Sequence, residues 1–205
     1  MTEPLWRGGL PLLLASTSAT RRGLLEGAGL AVETEAPGVD ERAVEAACAG
    51  LAPEALARRL AAAKAGAVAA RHPDRVVVGA DQILDCDGTL FHKPADLAAA
   101  RAQITRLAGR THALHSAVAL GIAGGVVETF VETAHLTLRP LSPEQIAAYV
   151  DLAGPDTVRA SVGGYQVEGL GIHLFSRIAG DHSTILGLPL LPLLARLRDR
   201  GLLGF

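Results

Sequence analysis

The chain has 205 residues, enough for one large domain or two small lobes, and its 49% hydrophobic content excludes a disordered polypeptide. A net charge of -2 and only seven aromatic residues exclude the basic, aromatic-studded surface of a nucleic-acid binder, so any anion site must be local. Cys48 and Cys86 form no CxxC pair, which gives neither a zinc signature nor a disulfide framework; two reduced thiols fit a cytoplasmic setting.

The first apolar run, PLLLAS, follows Arg7 and imitates an export signal, but it is only six residues long and reads as a strand buried on both faces. A helix is expected next, from Ser18 or Thr20 to about Ala28, with a hydroxyl at its start and Gly29 as its stop. Leu30 to Ala36 reads as a second strand. Pro53 to about Ala70 reads as a long helix, because Leu56, Leu60, Ala63 and Ala67 recur at helical spacing. RVVVGAD, from Arg75, is a buried strand expected to end at the carboxylate of Asp81.

QILDCDGTLF has a DG turn between two apolar pieces and reads as a hairpin. Asp96 to Leu107 is helical, and Leu114 to Leu138 forms two strands around a GIAGG turn. Ser142 to Val150 is a helix opened by Ser-Pro-Glu, and the closing helix covers about Leu190 to Arg200. Early alternation of strands and helices with a hairpin-rich middle predicts an α/β fold with a mixed sheet. If two lobes form, the change is expected near Gly109. No run reaches the roughly 18 to 20 apolar residues needed to span a bilayer, so no membrane partner is expected.

Four features carry candidate chemistry. ASTSATRR joins a strand to a helix start, where unpaired N–H groups and the positive helix end favour phosphate. Ser16 and Ser18 can donate hydrogen bonds there, and Arg21 and Arg22 can grip phosphate oxygens, although a plain N-cap with two solvated arginines fits the same letters. Asp81, at the end of a buried strand, can hold a divalent ion or orient water, or can be a simple cap. Lys64 and Lys93 are the only lysines beside seventeen arginines, so arginine serves as the ordinary surface cation and the two lysines invite a phosphate role. Asp40 and Glu41, after a PG turn, can ligate Mg²⁺ or stand solvated in a loop.

Other patterns are set aside. DCDG lacks the later ligands of a calcium loop, His112 and His115 face opposite sides of a strand, and the lone GLG at Gly169 to Gly171 is weak.

Taken in order, LLLASTSATRRGLL, VDE, AAKA, VVVGADQ, HKPAD, LAGRTHALHSAVAL, GGYQVEGLG and GDHSTILGLPL resemble the Maf family of nucleotide pyrophosphatases, the septum-formation inhibitors, over about Leu12 to Leu197. The resemblance implies an elongated α/β fold of the Maf and inosine-triphosphatase type, with a mixed sheet, flanking helices and two lobes around a central cleft. It implies hydrolysis of a nucleoside triphosphate to monophosphate and pyrophosphate, with a divalent cation, Mg²⁺ or Mn²⁺, held by Glu41 and Asp81. Asp81 matches the catalytic acid. Ser16, Ser18, Arg21 and Arg22 match the phosphate motif, Lys64 and Lys93 match charged residues of the cleft, and Glu168 matches the base-reading position. A homodimer is also implied.

The chain departs from the family pattern at several positions. Ala19 and Thr20 stand where proline and often arginine are usual. Gln82 and Glu168 replace the threonine and glutamine of the branch acting on dTTP and UTP, and Ala160 and Ser161 replace its Asp-Lys pair. These changes lean towards the 7-methyl-GTP branch and put Gln82 among the substrate contacts. A dTTP- or UTP-preferring enzyme, or a non-catalytic nucleotide sensor acting on cell division through a protein partner, are the competing readings.

Overall fold

The computed structural model describes residues 4–205. The chain divides into two compact units. The first runs through Gln82 and resumes over Ser116–Glu132 and His182–Phe205; the second holds Ile83–His115 and Thr133–Asp181. Among the described residues the strands are β1 (Leu12–Ala15), β2 (Val32–Thr34), β3 (Val77–Cys86), β4 (Thr89–Phe91), β5 (Thr111–Ile122), β6 (Gly125–Leu138) and β7 (Phe175–Ala179). Their order is β2-β1-β3-β5-β6-β7, with β4 on β3. β1 is parallel to β2 and β3, whereas β4 and β7 are antiparallel to their partners, so the sheet is mixed, as the alternation of elements predicts.

In the first unit, α1 (Ala19–Gly27), α2 (Glu41–Ala47), α3 (Pro53–Ala69), a short α6 (His182–Ile185) and α7 (Leu190–Asp199) accompany the strands. The unbroken apolar run of β1 has a direct cause. Leu12 and Leu14 point into a core with Leu25, Val78, Leu120, Leu188 and Leu193. Leu13 and Ala15 point the other way, against Val68 and Ala69 of α3. Period-two alternation thus buries both faces, which is why no polar residue interrupts the run.

α3 lies unusually close to the sheet because the strands beneath it carry glycine. A Cβ built on Gly79 of β3 would stand 2.5 Å from the Ala61 carbonyl oxygen and 2.6 Å from the Ala65 nitrogen. One on Gly121 of β5 would stand 2.8 Å from Ala69 Cβ. The helix answers with alanine at 57, 61, 65 and 69, all buried. Backbone atoms cannot rotate aside, so Gly79→Ala is expected to cost about 1–3 kcal/mol through overpacking. Urea unfolding measures it, and unchanged stability would show that the helix lifts without strain.

In the second unit, β4 pairs with the Leu84–Cys86 end of β3 around a turn at Asp87 (φ 50°) and Gly88 (φ 76°). Two successive positive φ values suit the tight hairpin that DG predicts. α4 (Leu97–Leu107) starts at Asp96, whose Oδ1 accepts from Ala99 N at 2.7 Å. α5 (Pro143–Ala160) opens with a reciprocal cap between Ser142 and Gln145. Two helical pieces meet in it across a kink: Gly154, at φ 77° and ψ 165°, is not helical and the chain turns helical again after it, so the first piece ends close to the expected Val150. Short 3₁₀ turns follow at Val162–Gly164 and Leu170–Leu174. Gly171 there belongs to close packing, since a Cβ would stand 2.4 Å from the Gln166 carbonyl oxygen.

His112, 1% exposed on β5, shares a 2.5 Å hydrogen bond between Nε2 and the Tyr165 hydroxyl, and its Nδ1 has no partner among the described residues. Tyr165 meets Phe175 edge-on at 4.9 Å. Burial, reinforced by the charge of His135, holds the His112 imidazole down at about 4. His115 has its own partner, Thr133 Oγ1, at 2.9 Å from Nδ1.

Four expectations need correction. The strand carrying Asp81 does not end there but continues to Cys86. An acid in a buried strand ordinarily marks its end; here a lysine compensates the charge and the ladder goes on. Asp40 and Glu41 are not a loop pair, since Asp40 caps α2 through a 3.0 Å bond from Ala43 N and Glu41 is the first helical residue. α2 itself and β7 have no counterpart in the sequence reading; one is seven residues long and wholly unburied, the other mostly exposed.

Candidate functional site

The start of α1 is built by two hydroxyls. Ser18 is the N-cap and its Oγ accepts from Arg21 N at 3.3 Å, while Ser16 Oγ accepts from Ser18 N at 3.2 Å. Both hydroxyls act as acceptors here, and each keeps its own proton to donate. The first turn of α1 contains no acid, so the positive end of the helix is not neutralised from within.

The two arginines part company. Arg22 Nε reaches Glu26 Oε1 at 2.7 Å, one helical turn on, with both side chains exposed. Such a pair contributes only about 0.3–0.5 kcal/mol. Arg21 turns inward: Nε donates to the Gly187 carbonyl and Nη1 to the Ala80 carbonyl, each at 2.9 Å. Burial lowers the Arg21 pKa, and the negative charges of Asp81 and Glu41 push it back up. The inner arginine therefore braces the residue before Asp81 and shares its electrostatic surroundings.

Lys64 sits on the buried stripe of α3 with Ala57, Leu60, Ala61, Ala65 and Val68. A lysine on that stripe needs compensation, and two acids supply it. Its Nζ donates to Asp81 Oδ1 at 2.5 Å and lies 2.9 Å from Glu41 Oε1. The Lys64 and Asp81 side chains are 9% and 8% exposed, and that of Glu41 is 51% exposed. α2, α3 and β3 thus deliver two carboxylates and one ammonium to a single point.

Gln82, expected among substrate contacts, uses its amide within its own unit. Nε2 donates towards Ser116 Oγ at 2.9 Å and the carbonyls of Ile185 and Thr184 at 3.0 and 3.2 Å. Ser116 Oγ donates to the same Thr184 oxygen at 2.7 Å. The C-terminal half of α6 is thereby tied to β3 and β5. Ser116 and Gly187 escaped the sequence reading because much of this network runs through carbonyl oxygens, which every residue has.

Lys93 and Glu168 belong to the second unit and both are exposed. Lys93 lies between β4 and α4 and is followed by the buried Pro94; Glu168 lies between the two 3₁₀ turns. The structure therefore gathers Ser16, Ser18, Arg21, Glu41, Lys64 and Asp81 in one unit, with Arg22 facing outward from it.

A mixed α/β sheet, an open helix start beside it and a charge-balanced buried carboxylate define a class of protein equipped to receive an anion. The family model described as Maf-like protein matches residues 11–200, and the chain belongs to that family. It is 54% identical over 200 residues to a nucleoside triphosphate pyrophosphatase of Nitrobacter winogradskyi, covering 98% of each chain. It is 51% identical, with the same coverage, to a protein of that description from Nitrobacter hamburgensis. It is 50% identical over 192 residues to a 7-methyl-GTP pyrophosphatase of Rhizobium johnstonii, covering 93% of this chain and 96% of the relative.

Proposed function

We propose that this protein hydrolyses nucleoside triphosphates, 7-methyl-GTP among them, to nucleoside monophosphate and pyrophosphate. The observation that carries the reading is the buried Lys64–Asp81 pair, with Glu41 on the same ammonium. The names of relatives that match along nearly their whole length, a nucleoside triphosphate pyrophosphatase and a 7-methyl-GTP pyrophosphatase, support the same reaction.

The chemistry follows from the side chains. The triphosphate meets the first turn of α1, where free N–H groups and the Ser16 and Ser18 hydroxyls donate to phosphate oxygens. Arg21 and Lys64 contribute positive charge as negative charge grows on the leaving pyrophosphate. Asp81 accepts a hydrogen bond from the attacking water and orients it towards the α-phosphorus. We assign Lys93 to phosphate as well, and Glu168 to the base. A carboxylate accepts from N1–H and the exocyclic amine of guanine and complements the positive charge of a methylated purine. Gln82 stays among the proposed substrate contacts through its amide oxygen, since the internal bonds use Nε2, and base preference is assigned to Glu168.

A divalent cation fits the donor set. Glu41 and Asp81 already converge on one cationic group, and Mg²⁺ is commonly held by one or two carboxylates together with substrate phosphates. Among the described residues no three His, Cys, Asp or Glu side chains gather, so these two would hold it with phosphate oxygens completing the set. When bound, Mg²⁺ or Mn²⁺ supplies charge neutralisation at the phosphates.

A cytoplasmic location and a homodimer belong to the same proposal. Among the described residues no helix is long and apolar enough to cross a membrane.

Pyrophosphate release from 7-methyl-GTP, GTP, UTP and dTTP with Mg²⁺ or Mn²⁺ tests the reading. The expected result is turnover with the methylated nucleotide leading. Strong preference for dTTP would overturn the substrate choice, and tight nucleotide binding without any pyrophosphate would favour the sensor reading.

A further inference from the structure

We infer that Lys64 is the resident counter-cation of the Glu41–Asp81 pair, holding both carboxylates in place before a divalent cation arrives and leaving them for phosphate when it does. The inference rests on the proposed function and adds an exchange step to it. Lys64 is then a positioning residue for the acids first and a phosphate ligand second.

The geometry requires some cation at this point. Asp81 is 6% exposed on a strand that also buries Ala80 and Ile83, so its charge cannot rely on water. Its Oδ1 and Glu41 Oε1 both lie within 2.9 Å of one nitrogen, which draws together two acids that would otherwise repel. An ammonium is a compact point charge with three donors, closer in character to a small metal ion than a planar guanidinium is. In a chain with seventeen arginines, the buried position has lysine.

The same geometry sets up the competition. A divalent ion engaging these carboxylates meets Nζ on the same oxygens or, on the opposite oxygens, a like charge only a few ångströms away. Either way the bare protein binds the metal less tightly than two acids alone would. Lys64 carries its charge on a flexible four-carbon stem, so it can turn towards a triphosphate without moving α3. Metal affinity is therefore low until substrate offers the ammonium a better partner.

The test uses the full chain with Mn²⁺ alone, without nucleotide, followed by electron paramagnetic resonance. Lys64→Met is expected to bind Mn²⁺ at least about tenfold tighter than the wild type, since a repelling charge is gone. Lys64→Met combined with Glu41→Gln is expected to lose that gain. Equal or weaker Mn²⁺ binding by Lys64→Met, or none by either form, overturns the inference. A second measurement needs no variant. The protein has only two lysines, so lysine-selective ¹³C,¹⁵N labelling gives two side-chain signals. Titration with Mg²⁺, its binding followed by displacement of Mn²⁺, is expected to shift the Lys64 signal and leave that of Lys93 in place. An unmoved Lys64 signal at saturation sinks the exchange. Neither readout involves hydrolysis, so failure here is distinct from failure of pyrophosphate release.

Discussion

Asp81→Asn is expected to lower kcat by about 10²- to 10⁴-fold with a smaller change in KM, the range found when a positioned acid–base group is lost. Asparagine has the same shape and can accept from Lys64 Nζ, so the frame around it is kept while the negative charge is removed. Two consequences follow at once. The attacking water loses its charged acceptor, and the buried ammonium keeps only Glu41, which is half exposed. Breaking a buried pair by removing one partner destabilises by about 3–5 kcal/mol, so urea unfolding must accompany the kinetics. A folded variant with near-normal pyrophosphate release would remove Asp81 from the mechanism. Loss confined to KM would make it a binding group and leave water orientation to another residue.

The second large effect concerns acid stability and comes from the other unit. His112 titrates near 4 when folded, against an ordinary value of 6.5. The folded state therefore binds this proton later than the unfolded chain does. The stability conferred by the neutral ring is complete above pH 6.5 and is lost as pH falls through 4. A shift of this size corresponds to roughly 3 kcal/mol, most of it gone by pH 4.5. The cause is visible in the packing: the ring is buried beside Tyr165 and Phe175, and its Nδ1 has no hydrogen-bond partner among the described residues. Protonation would place an unpaired charge there. His112→Gln retains a hydrogen-bonding amide for the Tyr165 hydroxyl but cannot acquire that charge. Urea unfolding at pH 7 and pH 4.5 is expected to show a smaller acid loss in the variant, by about 2–3 kcal/mol. Equal losses in the two proteins would place the acid sensitivity elsewhere.

Much of the fold could be read from residue patterns where one physical rule dominates. The apolar run of β1, the Ser18 cap, the DG hairpin and the helical stripe of α3 each follow from local periodicity or turn chemistry, and each forms close to the expected bounds. The failures share a cause as well. β3 was expected to stop at Asp81 because compensation by Lys64 comes from a helix seventeen residues upstream, beyond any local window. α2 was missed because no face of it is buried, so no apolar stripe marks it. The helical piece after Gly154–Pro155 lies outside the expected Ser142–Val150 helix, because a non-helical glycine followed by proline interrupts the local pattern.

For the candidate site, residue types were legible and their uses were only partly so. Two adjacent arginines look alike in sequence, and helical geometry alone sends one inward to the Ala80 and Gly187 carbonyls and the other out to Glu26. Gln82, expected among the substrate contacts, sets its Nε2 against Ser116 and two carbonyl oxygens, partners that no local pattern reveals. Lys64 was singled out by rarity, which is a statement about composition; that it unites Glu41 and Asp81 depends on how α2 and α3 end up against β3.

Glycine-to-alanine exchange is a standard way to harden an enzyme against heat, because it narrows the freedom of the unfolded chain. Gly79 would pass the usual screen for that treatment, having an ordinary strand backbone and no reactive atom. Yet it is the floor on which the lysine-bearing helix stands, two residues ahead of the acid that the lysine grips. One added methyl group would raise the whole lever arm, so a programme of thermal hardening that treats this position as idle is expected to disarm the enzyme without touching a charged residue.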